Sequence, residues 1–248
     1  SGVDITEQKR NQISVEAKNV ELKKINSELD NFVYSISHDL RSPLLSIKGI
    51  ISLVLGTLNL DTKAIEFLTM ADVSVGRLDG TIQEILEYSR NSRLGLQLEE
   101  VLIRPLAQEI FEDLKFSNVS PMLWNIDIEG GEGVITDKAR IKILLRNIIG
   151  NSVKYKRDGV VNEINLSMRR DAERIYFEIR DKGEGISPSS LKRVFEMFYR
   201  GTTSSQGTGL GLYICKEIVN KLKGEISIQS ELGKGTSVYF WIPNNRVE

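Results

Sequence analysis

Ile175-Tyr176-Phe177-Glu178-Ile179-Arg180-Asp181-Lys182-Gly183-Glu184-Gly185 is the stretch on which the fold turns. Apolar and polar residues alternate from Ile175 to Ile179, the period of a half-buried strand. Asp181 falls in phase with Ile175, Phe177 and Ile179, so a carboxylate continues the inward face. A buried carboxylate needs donors. The bland alternative is an Asx-turn cap at the strand end.

The same alternation recurs on either side. Ile164, Leu166 and Met168 form one strand face before it; Ile226 and Ile228, then Val238, Phe240 and Ile242, supply two more after it. Thr236 precedes Val238 on its inward face. Two polar groups ending two core-facing stripes frame a pocket for a flat, hydrogen-bonding ring such as adenine, although an ordinary threonine would read the same. Helical patterns fall at about 103–116, 138–156 and 208–222. Mostly antiparallel strands with intervening helices predict a two-layer α/β sandwich over residues 94–248.

Within the helix of 138–156, Ile141, Leu144, Leu145, Ile148 and Ile149 make the apolar face. Asn147, Asn151 and Lys154 lie at i, i+4 and i+7 as a polar stripe beside it. Asparagine is a poor interior helix residue unless its amide has a task. Two amide oxygens and an ammonium in a row suit Mg²⁺ and the phosphates it bridges. Residues 138–157 also hold seven Lys/Arg and no acid, so a solvated basic face that binds nucleic acid is the competing reading. Further on, Gly207-Thr208-Gly209-Leu210-Gly211-Leu212 opens the last helix, and free N–H groups at a helix start form an anion site. Leu212 stands where a dinucleotide fingerprint needs its third glycine, and no GxxxxGK[ST] occurs. Thr202 to Gln206 read as a lid, with Phe195 and Phe198 as its anchors.

The first ninety residues have another texture. Val15, Leu22, Ile25, Leu29, Phe32 and Ile36 recur at alternating steps of three and four, with only Lys18 breaking the seam, the stripe of a helix packed on a partner helix. A second helix fits about Asp61 to Arg90 on Leu68, Ala71, Val75, Leu78, Ile82 and Ile85, with Asp61 or Thr62 as N-cap. Two amphipathic helices do not close a core alone, so a homodimeric four-helix bundle is expected. His38 is the only histidine. It lies two residues past Ile36, about 200° round the helix, and so points outward. Asp39 is placed to orient or deprotonate it, and Pro43 should bend the helix just beyond. On its own this segment serves a surface histidine as well as a reactive one.

Composition narrows the field. The 248 residues, at roughly 150 per domain, suggest one to two domains. With 33 Lys/Arg against 34 Asp/Glu the net charge is −1, which argues against a nucleic-acid or membrane coat. One cysteine and one histidine exclude intramolecular disulfides and Cys/His zinc sites. No run approaches the roughly 18 apolar residues of a membrane helix, so no membrane contact is expected of these residues.

Taken in order, these motifs resemble those of sensor histidine kinases of two-component signalling. Ser37-His38-Asp39-Leu40-Arg41-Ser42-Pro43-Leu44 is similar to the phosphoacceptor H-box, and Asn147-x-x-x-Asn151-Ser152-Val153-Lys154-Tyr155 to the N-box. Asp181-x-Gly183-x-Gly185 is similar to the first glycine box, Phe195-x-x-Phe198-Tyr199-Arg200 to the F-box, and Gly207-x-Gly209-x-Gly211-Leu212 to the second glycine box. The resemblance implies a coiled-coil signal helix at 1–30, a dimerisation and phosphoacceptor hairpin at 31–93 and a catalytic ATP-binding domain at 94–248. It implies that His38 attacks the γ-phosphate of ATP with Asp39 as base, and that Asn151, supported by Asn147, holds Mg²⁺. Lys154 would meet the phosphates, Tyr155 would line the nucleotide site and Asp181 would accept from the adenine amino group with Thr236 nearby. Gly183, Gly185, Gly207, Gly209, Leu210 and Gly211 would shape the nucleotide site, and Arg200 is a γ-phosphate candidate. A homodimer and a response-regulator receiver domain are the implied partners, nucleic acid is not, and the cytoplasm is the implied location, as part of a longer sensor. A dimeric ATPase of the same nucleotide-binding superfamily, forming no phosphoenzyme, is the alternative. Two departures stand out: Ser42 replaces a threonine or asparagine, which puts phosphatase activity in doubt, and Ser152 replaces an alanine, a change expected to matter little.

Overall fold

The computed structural model describes residues 9–10, 12–15, 18, 40–56, 61–93, 95–116, 122–201 and 208–245. The chain divides into two compact units, Ser1–Leu94 and Gly95–Glu248.

In the first unit, residues 40–56 form a helix, α1, and Thr62–Arg93 form α2. At 1.5 Å per residue, the 32 residues of α2 extend about 48 Å. Asp61 starts it by accepting the Ala64 amide at 2.7 Å, which satisfies an amide the helix itself leaves unpaired. Leu44, Ile82 and Leu86 bury one another, with Val75 packed against them. Arg41 Nε donates to Asp79 at 3.1 Å, joining the two helices. Of the expected seam, Val75 and Ile82 pack in this cluster, Leu78 is 50% exposed in the single chain, and Asp79 is half-buried beside Arg41. Pro43 lies inside the described helix. Residues 9–10, 12–15 and 18 are helical and Val15 is exposed. The rest of the heptad, from Leu22 to Ile36, lies outside the described residues, as does the turn at 57–60.

The second unit runs β1 (Leu98–Leu102), α3 (Ile103–Phe116), β2 (Met122–Ile128), β3 (Gly133–Asp137), α4 (Lys138–Lys154), β4 (Asn162–Arg170), β5 (Arg174–Asp181), α5 (Pro188–Leu191), α6 (Gly211–Lys221), β6 (Glu225–Glu231) and β7 (Gly235–Pro243). β1 and β3 form a two-stranded ribbon, and the main sheet has the order β2-β4-β5-β7-β6. Only β2 and β4 pair in parallel; the remaining neighbours are antiparallel.

Register explains the single core. Leu166 pairs with Ile179, which pairs with Val238, which pairs with Ile228, so one inward row crosses four strands. Ile164, Leu166, Met168, Ile175, Phe177 and Ile179 are all buried, and Phe177 stacks on Phe240 at 4.5 Å. Alternate residues such as Arg169, Tyr176 and Arg180 are exposed. Ile141, Leu144, Leu145, Ile148 and Ile149 of α4 and Ile214, Cys215, Ile218 and Val219 of α6 cover the inward face. The result is two layers.

α4 is the best-anchored helix. Asp137 caps its N-terminus, accepting the Arg140 amide at 3.1 Å and the Gln97 amide at 3.0 Å, and it pairs with the Arg140 guanidinium. Both residues are buried. Burial alone pushes the Asp137 carboxyl up, but the Gln97 and Arg140 amides and the guanidinium outweigh it, and its pKa falls below 3.8.

Candidate active site

The carboxyl end of β5 places Asp181 where the sheet meets α4 and β7. Its Oδ1 accepts the Gly183 amide at 2.9 Å and the Thr236 amide at 3.1 Å. Its Oδ2 accepts from Ser152 Oγ at 2.9 Å. Burial raises the Asp181 pKa, and those three donors pull it only part of the way back. Thr236 serves through its backbone; its hydroxyl pairs with Ser230 at 2.9 Å.

The glycines let the backbone close around this carboxylate. A Cβ at Gly183 would collide with the Tyr155 carbonyl, which lies against the turn and accepts the Glu184 amide at 2.9 Å. Gly185 packs in the same way on the Glu231 carbonyl. The C-terminal turn of α4 and the turn after β5 are therefore one packed structure, and Tyr155 belongs to it.

Gly209 has φ +77°, a conformation side chains disfavour. A Cβ there would sit 2.6 Å from the Phe198 carbonyl carbon and the Tyr199 oxygen. Gly211 starts α6 against α4, where a Cβ would stand 2.7 Å from Asn147 Oδ1. The Asn147 side chain thus lies against the N-terminus of α6, its Nδ2 donating to the Ile143 carbonyl at 3.0 Å. Asn151 is half-buried one turn further on, and Lys154 is exposed with its ammonium 4.8 Å from the Tyr155 ring centre. Arg200 is exposed.

The structure brings Asn147, Gly209 and Gly211 together, and Tyr155, Asp181, Gly183 and Thr236 together, with α4 joining the two groups. The Leu210 side chain is fully buried, which leaves its backbone as the part that can contribute to a nucleotide site. The basic face of 138–157 is also broken up, since Arg140 is buried against Asp137 and Lys142 pairs with Glu109 at 2.6 Å. His38, Asp39, Gly207 and the 202–206 segment lie outside the described residues.

Sequence reasoning noted Ser152 as a departure expected to matter little and missed its bond to Asp181. The signal was available: Ile141, Leu144, Leu145 and Ile148 lead in helical phase to residue 152, so a hydroxyl falls within the apolar stripe and needs a partner there.

A two-layer sandwich with a donor-held carboxylate at one strand end and a glycine-opened helix beside it defines a nucleotide-binding domain of the ATPase type. The family model for histidine kinase-, DNA gyrase B- and HSP90-like ATPases matches residues 136–246, and that for the His Kinase A phospho-acceptor domain matches residues 28–93. The chain belongs to the sensor histidine kinases. It is 34% identical over 229 residues to the methanogenesis regulatory histidine kinase FilI of Methanothrix harundinacea, covering 90% of this chain and 25% of that protein. It is 29% identical over 231 residues to the sensor protein SrrB of Staphylococcus aureus, covering 86% and 38%. The chain therefore spans well under half the length of these relatives. The fold is shared with full-length ShkA, solved in complex with AMPPNP, at a TM-score of 0.67 and 24% identity over 87% of this chain and 46% of that one.

Proposed function

We propose that this chain is the catalytic core of a two-component kinase that phosphorylates its own His38 from ATP and passes the phosphoryl group to an aspartate of a receiver domain. The observation that carries the reading is the half-buried Asp181 carboxylate, held by three donors among the described residues and able to accept one more. A purine 6-amino group is the complement of such a carboxylate, and a 6-oxo group is not.

The other residues fall into place around it. Asn151, with Asn147, offers amide oxygens to Mg²⁺, which when bound neutralises phosphate charge. Lys154 and the amides of Gly209 and Gly211 meet the phosphates, with Gly207 and Arg200 as further contacts. The His38 nitrogen attacks the γ-phosphorus as the bond to the β–γ bridging oxygen breaks; ADP leaves, and Asp39 takes the imidazole proton. Rate acceleration then comes from positioning and charge neutralisation.

Exposed apolar side chains on α1 and α2, including Ile50 (64%), Leu53 (65%), Phe67 (68%) and Met70 (60%), support a second copy of the chain as the partner that covers them.

The test is labelling with γ-labelled ATP and Mg²⁺, followed by acid and alkali treatment. Phosphohistidine is lost in acid and survives base. Base-stable label that disappears in His38→Gln carries the reading; ATP hydrolysis with no label would favour the ATPase that forms no phosphoenzyme.

A further inference from the structure

Ser152 is 4% exposed, and its two polar ends are both engaged. Its carbonyl accepts from Asn162 Nδ2 at 2.9 Å, which fastens the last turn of α4 to the start of β4. Its hydroxyl lies 2.9 Å from Asp181 Oδ2 and 3.3 Å from the Ile148 carbonyl. A serine hydroxyl has one proton to donate. The shorter bond, to a charged acceptor, takes it.

The lone pairs of Asp181 can then be counted. An ionised carboxylate offers about four acceptor positions. Oδ1 uses its two on the amides of Gly183 and Thr236, and Oδ2 uses one on Ser152. Among the described residues one position remains without a partner, on Oδ2. The donors come from three places, the turn after β5, the start of β7 and the last turns of α4, so the carboxylate plane is fixed from three sides.

We infer that Ser152 is a positioning residue for the purine: its hydroxyl holds Asp181 so that the one remaining lone pair meets the 6-amino group of the nucleotide. The inference rests on the adenine reading proposed above. Ser152 touches Asp181 and not the nucleotide, so it acts through that carboxylate. A site whose polar groups are built around a substrate donor rejects analogues that lack it far more strongly than an apolar slot does. Loss of Ser152 therefore shows first as loss of discrimination at position 6 of the purine.

The experiment is calorimetric titration of the purified chain with Mg²⁺-ADP and with the diphosphate of purine riboside, which lacks only the 6-amino group. In Ser152→Ala, ADP is expected to bind roughly 5- to 10-fold more weakly, the loss of one hydrogen bond to a charged group, while the deamino analogue changes less than twofold. The acid limb of ADP binding is expected to move toward neutral pH, because the ionised carboxylate has lost a donor. Ser152→Thr keeps the hydroxyl and is expected to retain the wild-type ratio of the two affinities; if Ser152→Ala fails to fold, loss of that ratio in Ser152→Thr would overturn the inference. Equal weakening of both nucleotides, or no change in either, would overturn it too. Failure of the wild-type chain to bind ADP at all would remove the underlying nucleotide reading, a result distinct from the others.

Discussion

At Asp181 two pH effects run in opposite directions. Its pKa is raised above 3.8 by burial, so the folded state keeps the proton to higher pH than the unfolded state does. Between the ordinary value and the raised one, acidification therefore favours the fold through this group. Nucleotide binding uses the ionised form and is expected to weaken over the same window. Titrating ADP affinity and thermal midpoint against pH should show the two moving apart, and Asp181→Asn should abolish the acid limb of binding along with most of the affinity. Cys215 offers a second test at this scale. It is the only cysteine, it is fully buried, and burial pushes its thiol far above the usual range. An aromatic disulfide reagent should leave it untouched in the folded chain and react fully in denaturant; rapid reaction in the native state would contradict the packing described.

Among elements, α4 carries the most. Asp137→Ala removes the cap of α4 and leaves the Arg140 guanidinium buried without its carboxylate, a loss of about 3 kcal/mol or more. Because the folded pKa of Asp137 is lowered, its stabilisation is present above the ordinary value of 3.8 and lost as pH falls through the lower folded value. Urea denaturation at pH 7 and in acid should show the wild-type advantage over the variant shrinking. Asn162→Ala should cost about 1–3 kcal/mol by leaving the Ser152 carbonyl buried with a partner lost.

Elements also show what sequence could and could not reveal. Strands β4, β5 and β7 were legible because their inward rows are unbroken. β1 was not, since Leu98-Glu99-Glu100-Val101-Leu102 buries only Val101 and is held by pairing with β3 rather than by an apolar face. β2 shows no fully buried residue, only alternate half-burial beside β4. α4 stops at Lys154 and α6 begins at Gly211, each inside the predicted range, because Tyr155 and Gly209 adopt non-helical dihedrals. In the site, the motif residues were visible one by one. That the Thr236 amide rather than its hydroxyl meets Asp181, and that Ser152 completes the carboxylate's partners, depends on cross-strand register and helix phase, which only the assembled fold supplies.

For the whole molecule, the two units differ in self-sufficiency. Residues 95–248 contain a closed two-layer core and the entire candidate nucleotide site. That fragment should fold alone, melt cooperatively and bind Mg²⁺-ADP, which calorimetry checks directly. The hairpin buries Leu44, Ile51, Ile82 and Leu86 among its described residues while leaving much apolar surface exposed. Leu53→Glu with Phe67→Glu should convert a dimer to monomers in sedimentation velocity while leaving ADP binding to the second unit intact.

The close approach of Gly209 to Phe198 and Tyr199 has a meaning for how such a chain changes over generations. Those contacts join the polypeptide to itself at two points ten residues apart in the sequence. Each doubling of the length of chain between two such points costs only about 0.6 kcal/mol. Changes of length between Gly201 and Gln206 should therefore cost the sandwich little, so descendants of the sequence are free to lengthen or shorten there while the proposed phosphate contacts Arg200 and Gly207 stay in place.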